Sequence, residues 1–195
     1  MKKPLNNLKG FTLTELLIMI SIFLIVTMAI YSAHLISQRA YRESEMLAEL
    51  SQNGRIVLER MTREIRQARE IVTELPATST EATSTIEFQD GHDLSYIHYI
   101  RYFRDENDNT VKREELAYYF SFSGNPNDPT TYVMWNAIPP ENEQLVTIIL
   151  KSPEIIGEYV INLGFWGTRV INIFITLGKE AKSIELSTKI FGRNL

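Results

Sequence analysis

Hydrophobic and polar positions divide the chain into three stretches with different periods. Residues 16–38 contain no Asp, Glu, Lys or Arg. Within this run, Leu16, Leu17, Ile18, Ile20, Ile22, Phe23, Leu24, Ile25, Val26 and Ile30 leave no polar face. At about 1.5 Å per residue the charge-free run makes a helix of roughly 34 Å, enough to cross a bilayer core. At roughly −0.3 to −0.6 kcal/mol each, these side chains favour insertion by about 3–6 kcal/mol, which offsets one ionisable residue near the end of the span. After residue 37 the pattern changes. Apolar residues recur at Leu47, Leu50, Val57, Met61, Ile65, Ala68 and Val72, in the steps of an amphipathic helix. The other face carries Arg39, Glu43, Glu49, Glu59, Arg63, Glu64, Arg66 and Glu70, with Glu59 and Arg63 in the favoured i,i+4 order. No proline lies between Pro4 and Pro76. The pattern therefore predicts one helix over 11–72, transmembrane over 11–38 and amphipathic over 39–72, roughly 90 Å long if continuous. Gly54 is its weak point: it costs about 1 kcal/mol relative to Ala, and marks a bend or a close packing contact.

The third stretch reads as strands. Residues 73–85 are rich in Ser, Thr, Ala and Glu and contain Pro76, which ends the helix and predicts an exposed connector. Residues 96–103 are β-branched and aromatic on both faces, as suits a strand covered on both sides. Leu116, Tyr118, Phe120 and Phe122 alternate with smaller or more polar residues, and 146–150 is a short apolar run. Ile171, Ile173, Ile175 and Leu177 alternate, as do Ile184, Leu186, Thr188 and Ile190, so 170–190 predicts a hairpin with one buried face. Loops are expected at 105–110, 124–130, 136–144 and 152–154. The fold class is α+β: a long N-terminal helix packed through its amphipathic half on an antiparallel β-rich head, residues 86–195.

Charge and composition refine this picture. At 195 residues the chain can hold one membrane segment and one modest soluble domain. There is no Cys, which excludes disulfides and thiolate metal sites. Lys2, Lys3 and Lys9 precede the apolar run, while Arg39 and Arg42 follow it, so the positive-inside bias puts the N-terminus in the cytoplasm. The basic stretch 1–10 is unlike an ordinary secretory signal, because its small residue, Gly10, precedes the apolar run. Arg55, Arg60, Arg63, Arg66 and Arg69 could form a basic stripe for nucleic acid. They are interleaved with Glu59, Glu64 and Glu70, which favours a solvated helix face.

Glu15 stands at the edge of the span. Read alone, it either sits in the first helical turn near the headgroups, where the helix dipole favours a negative charge, or it has a specific partner. In the head, Asp105, Asn107 and Asn109 have the spacing of a calcium loop. Thr110 replaces the required Gly and Leu116 the bidentate Glu, so a hairpin turn is the better reading. His92 and His98 lack a recognisable third ligand, and no nucleophile triad, P-loop or dinucleotide motif is present. No cofactor, metal or catalytic site is expected, and the chain reads as a non-enzyme.

The string Lys9-Gly10-Phe11-Thr12-Leu13-Thr14-Glu15 changes the balance for Glu15. With the basic leader before it and the apolar run after it, it resembles the class III signal of type IV prepilins and pseudopilins. The resemblance implies cleavage between Gly10 and Phe11 by a membrane peptidase, N-methylation of Phe11, and pairing of Glu15 with the new amino group on a neighbouring subunit. Removing Lys2, Lys3 and Lys9 with the leader takes the formal charge from −4 to −7 before the new amino terminus is counted. The implied fold is a pilin-like lollipop. The implied partners are other pilin or pseudopilin subunits, the prepilin peptidase/N-methyltransferase, an inner-membrane assembly platform and membrane lipid, with no nucleic acid as main partner. The implied location is the cytoplasmic membrane, single-pass with the head outside, then a cell-surface or periplasmic filament. Many major pilins have a helix-kinking proline and a cystine loop. This chain has neither, and its 53–69 stretch looks more like minor pilins and the J-type minor pseudopilin. The implied function is a minor structural subunit of a type IV pilus or type II secretion-like filament. The alternative from the residues is a single-span anchored extracytoplasmic binding protein.

Overall fold

The computed structural model describes residues 10–93 and 95–191. Lys2, Lys3 and Lys9 of the expected leader lie outside the described residues. The chain divides into two compact units, Met1–Glu45 and Met46–Leu195. One helix, α1 (Leu13–Gln67), accounts for the described part of the first unit beyond Thr12 and supplies the only helix of more than one turn among the described residues of the second.

The described residues of the first unit are exposed throughout. Its hydroxyls bond back into the helix: Ser21 to the Leu17 carbonyl at 2.8 Å, Thr27 to Phe23 at 2.7 Å and Ser32 to Met28 at 2.9 Å. A hydroxyl satisfied by the carbonyl four residues back costs little in an apolar medium.

In the second unit α1 packs under two antiparallel sheets. The larger contains β1 (Glu70–Ile71), β2 (Thr85–Gln89), β3 (Tyr99–Asp105), β4 (Thr110–Phe120) and β5 (Leu145–Gly157), in spatial order of sequence. The smaller contains β6 (Val160–Trp166), β7 (Val170–Lys179) and β8 (Lys182–Phe191). Leu50, Val57, Leu58, Met61 and Ile65 of α1, with Ala68 just beyond it, meet Ile86, Phe88, Ile100 and Tyr102 of the larger sheet and Ile171, Ile173, Ile175 and Leu177 of the smaller in one core. The expected amphipathic face is thus the buried face, except that Leu47 remains 37% exposed and Val72 lies outside the helix. Gly54 resolves as a close contact. A Cβ there would stand 2.6 Å from Leu186 Cδ1 and 2.7 Å from Leu177 Cδ1, so glycine lets the smaller sheet sit directly on the helix.

Several expectations are corrected. The helix ends at Gln67, not at 72. The amides of Arg69, Val72 and Thr73 bond to Gln89 and Glu87 carbonyls of β2, and the β-branched run Ile71-Val72-Thr73 suits that extended path. Residues 152–154, expected as a loop, lie inside β5; it is an edge strand, where proline is tolerated, and its register against β4 shifts near that point. The strand β6 was not anticipated. The expected strand 96–103 begins at Tyr99, while the β7–β8 hairpin and the turn between β3 and β4 fall where the pattern put them.

Glu64 departs from the expected solvated face. It is half-buried beneath the larger sheet, where the Tyr102 hydroxyl donates to its Oε2 at 2.8 Å and Arg113 Nε at 2.9 Å. Arg113 also reaches Glu115 at 2.6 Å, and Arg60 bridges Glu64 and Glu154 at 3.6 and 3.2 Å. On the opposite face of the sheet Arg101 lies between Glu87 and Glu114, and the Tyr118 hydroxyl donates to Glu87 at 2.5 Å. Of these groups Arg113, Glu87 and Glu114 are buried with their charges paired, whereas Arg60, Arg101 and Glu154 remain partly exposed.

Candidate membrane and assembly segment

The candidate site is the start of α1. Thr12 precedes the first helical residue, and its hydroxyl accepts from the Glu15 amide at 3.3 Å. Glu15 Oε2 in return accepts from the Thr12 amide and hydroxyl, each at 3.0 Å. This is a capping box, Thr-x-x-Glu, in which two amides without helical partners are satisfied reciprocally. The Leu16 amide then donates to the Thr12 carbonyl at 3.2 Å and starts the helical ladder. Glu15 thus stands in the first turn of α1. All the bonds to Glu15 from Thr12 fall on one carboxylate oxygen, Oε2. Thr-x-x-Glu ahead of an apolar run is itself a helix start signal, so the Thr12 partner is legible in the sequence.

Gly10 and Phe11 precede this cap in non-helical backbone, and both are exposed. A Cβ built on Gly10 meets nothing within 4 Å, so no internal packing calls for glycine here. Leu16, Leu17, Ile18, Ile20, Ile22, Phe23, Leu24, Ile25, Val26 and Ile30 are 48–69% exposed, and none of the most apolar 18-residue window is buried. A bare apolar surface of this kind is a membrane or partner surface. His34 lies near the far end of the run and shares a 3.0 Å hydrogen bond with Gln38.

The head offers less. Lys112 Nζ occupies the would-be calcium loop, 2.5 Å from Asp105 and 3.2 Å from Asp108. His98, buried, pairs with Asp90 at 3.1 Å, while His92 is exposed and donates only its amide to Asp90. Burial is the largest influence on His98 and pulls its pKa down, yet the bonds to Asp90 and the Tyr96 carbonyl leave it raised. Asp90, also opposed by burial, is held at about 2 by His98 and the amides of His92 and Asp93. Burial, with Glu64 beside it, raises the Tyr102 hydroxyl well above the phenol range. Trp166 packs on Phe174 at 5.6 Å; the Trp135 backbone amide donates to the Tyr99 hydroxyl, and its indole nitrogen is buried without a hydrogen-bond partner among the described residues. Among the described residues no group of three or more His, Asp or Glu is placed to hold a metal.

Residues 5–31 match the family model of the prokaryotic N-terminal methylation motif. No curated protein and no solved structure is significantly similar to the chain. The N-terminal segment thus carries the type IV prepilin-like signal, and the chain has the features of a type IV pilin-like precursor: that signal, an exposed helix apolar and long enough to cross a membrane, and an α+β layout.

Proposed function

We propose that the protein is a minor structural subunit of a type IV pilus or a type II secretion-like filament. A prepilin peptidase/N-methyltransferase removes residues 1–10, methylates Phe11, and leaves the subunit anchored in the cytoplasmic membrane with its head outside. Other pilin or pseudopilin subunits and an inner-membrane assembly platform then draw it into the filament. The observation that carries this reading is the coincidence of the methylation signal, residues 5–31, with a helix whose apolar window is wholly unburied. A secretory signal has no use for a helix that continues into the core of the head, whereas a filament subunit needs one helix that serves both as membrane anchor and as assembly surface.

Glu15 is the assembly residue in this reading. Cleavage would create an amine at Phe11 at the start of an apolar segment, where an unpaired charge is costly, as is an unpaired carboxylate. Pairing the two between adjacent subunits compensates both and sets an axial step that the uniform surface from Leu16 to Ile30 cannot set. The minor role is supported by the absence of a proline in α1 and of any Cys.

Intact-mass measurement of the protein from its native membrane tests the reading. The expected mass is that of residues 11–195 plus one methyl group, and Gly10→Val is expected to leave the full-length chain. A wild-type protein that keeps residues 1–10 overturns it.

A further inference from the structure

A basic groove runs along the flank of α1 and meets β8 at Thr188. Its volume is about 610 Å³, and its walls include Arg55, Arg63, Arg66, Glu59, Leu58 and Thr188. The expected Glu59–Arg63 pair is not formed. Among the described residues Arg55, Arg63 and Arg66 have no ion-pair partner: Glu64 is engaged by Arg113 and Glu49 by Lys179 at 2.8 Å, and Glu59, in the same wall, pairs with none of the three. Three unpaired guanidinium groups in one groove are unexpected in a chain of formal charge −4. The second wall is independent of the first. Strand order β6-β7-β8 leaves β8 at the edge of its sheet, and among the described residues the backbone of 183–191 makes no bond on the outer side.

We infer that this groove docks an extended acidic segment of a partner polypeptide, added as a strand to β8 with its carboxylates on Arg55, Arg63 and Arg66. An open strand edge takes an extended chain through backbone bonds, and side chains on alternate positions supply the specificity. Arginine forks match carboxylates in two-point geometry. The spacing agrees. Arg55 and Arg63 are eight residues apart on a helix, about 12 Å. Residues four apart on an extended strand are about 13 Å apart and point the same way. The residue between them on that face meets Leu58 and Glu59, where a third carboxylate would be repelled, so the fitting pattern is acidic, polar, apolar, polar, acidic. Nucleic acid fits less well. No aromatic side chain lines the groove to stack a base. The inference goes beyond the filament reading and does not depend on it.

The test uses the full-length chain in detergent micelles and a labelled peptide, Glu-Thr-Val-Thr-Glu-Thr-Val-Thr-Glu, followed by fluorescence anisotropy. The Glu peptide is expected to bind, and its Gln counterpart about tenfold or more weaker, the loss of at least one charge-assisted bond. Arg55→Gln with Arg63→Gln and Arg66→Gln should abolish the difference between the two peptides, while exposed Arg169→Gln leaves it unchanged. The three sites are on the surface, and the far-ultraviolet circular dichroism of the triple variant checks its fold. The single variant Arg66→Gln, expected to lose several-fold in affinity, gives a second reading. Equal binding of both peptides, or equal loss in the Arg169 variant, overturns the inference. So does tighter binding of a single-stranded oligonucleotide at the same salt, which would make the groove a polyanion site. Self-association of the wild-type chain that the triple variant lacks, without peptide binding, also overturns it, in favour of a second copy.

Discussion

Replacing Gly54 by alanine sets helix propensity against packing, and the two give opposite signs. Propensity alone makes Gly54→Ala stabilising by about 1 kcal/mol in a helix interior. The added methyl, however, would lie 2.6 Å from Leu186 Cδ1 and 2.7 Å from Leu177 Cδ1. Both distances are far inside van der Waals contact, so something must move. Leu177 has no exposed surface and is locked in the core, whereas Leu186 is only half-buried near the sheet edge. Overpacking of this kind costs about 1–3 kcal/mol, and two leucines are involved, so a value near the upper end applies. The net expectation is a loss of about 1–2 kcal/mol, roughly 2–8 °C in melting temperature for a head of this size. Thermal unfolding of the full-length chain in detergent, followed by near-ultraviolet circular dichroism, measures it. Leu186→Val in the same chain should return part of the loss, because it shortens the nearer clashing side chain, and a double-mutant cycle isolates that coupling. A Gly54→Ala variant as stable as wild type, or more so, would refute the close-packing argument and leave propensity as the governing effect.

Ile65→Asp places an unpaired carboxylate where no surface is exposed and should cost on the order of 4 kcal/mol or more, abolishing the near-ultraviolet signal of the head. The Asp90–His98 pair makes stability depend on pH in two directions. His98 is raised, so its contribution is full below about pH 6.5 and is lost as pH rises through its folded value; Asp90, lowered to about 2, contributes above about pH 4 and fades as pH falls toward 2. His98→Gln should therefore flatten the decline in urea midpoint between pH ~5 and ~9, and an unchanged decline would assign it to other groups. On the proposed assembly, Glu15→Gln should leave membrane insertion and leader removal intact but reduce co-purification with partner subunits from detergent extracts; recruitment at wild-type level would remove the pairing argument.

The parts of the fold that the sequence predicted are those where one side-chain period holds over many residues. Ile171, Ile173, Ile175 and Leu177 alternate without a break, and so do the β8 residues opposite them, so the hairpin could be read directly. The strand β6 breaks the rule. Leu163, Gly164 and Phe165 are all buried in succession, and a Cβ on Gly164 would meet the Phe174 ring at 2.1 Å. Glycine is there to let an aromatic ring from β7 lie across the strand, a tertiary reason that erases the local alternation. Pro153 misled in the same way, since proline signals a loop only if the strand is not at an edge. Glu64 belongs to the polar face by period, yet Arg113, 49 residues later, draws it under the sheet. No local pattern states which of several helix acids a sheet arginine will recruit.

At the N-terminus the sequence carried more of the answer, because both the capping box and the methylation signal are local strings. What it did not separate is the two roles of one carboxylate. The cap uses Oε2 of Glu15 for the Thr12 amide and hydroxyl. A carboxylate has two oxygens, so on the proposed assembly Oε1 can meet a neighbour's amine without breaking the cap. The roles then separate by substitution. Glutamine at this position keeps the reach and an acceptor oxygen, so it preserves the capping box while removing the charge. Aspartate keeps the charge but is one methylene shorter, so it weakens the reciprocal bond to Thr12. If the carboxylate serves only to begin the helix, aspartate is the damaging change and glutamine is silent. If it serves to pair with an amine in an apolar bundle, glutamine is the damaging change. The order of the two variants in subunit recruitment therefore decides between a helix cap and an assembly contact, and helix content alone, nearly equal in both, does not.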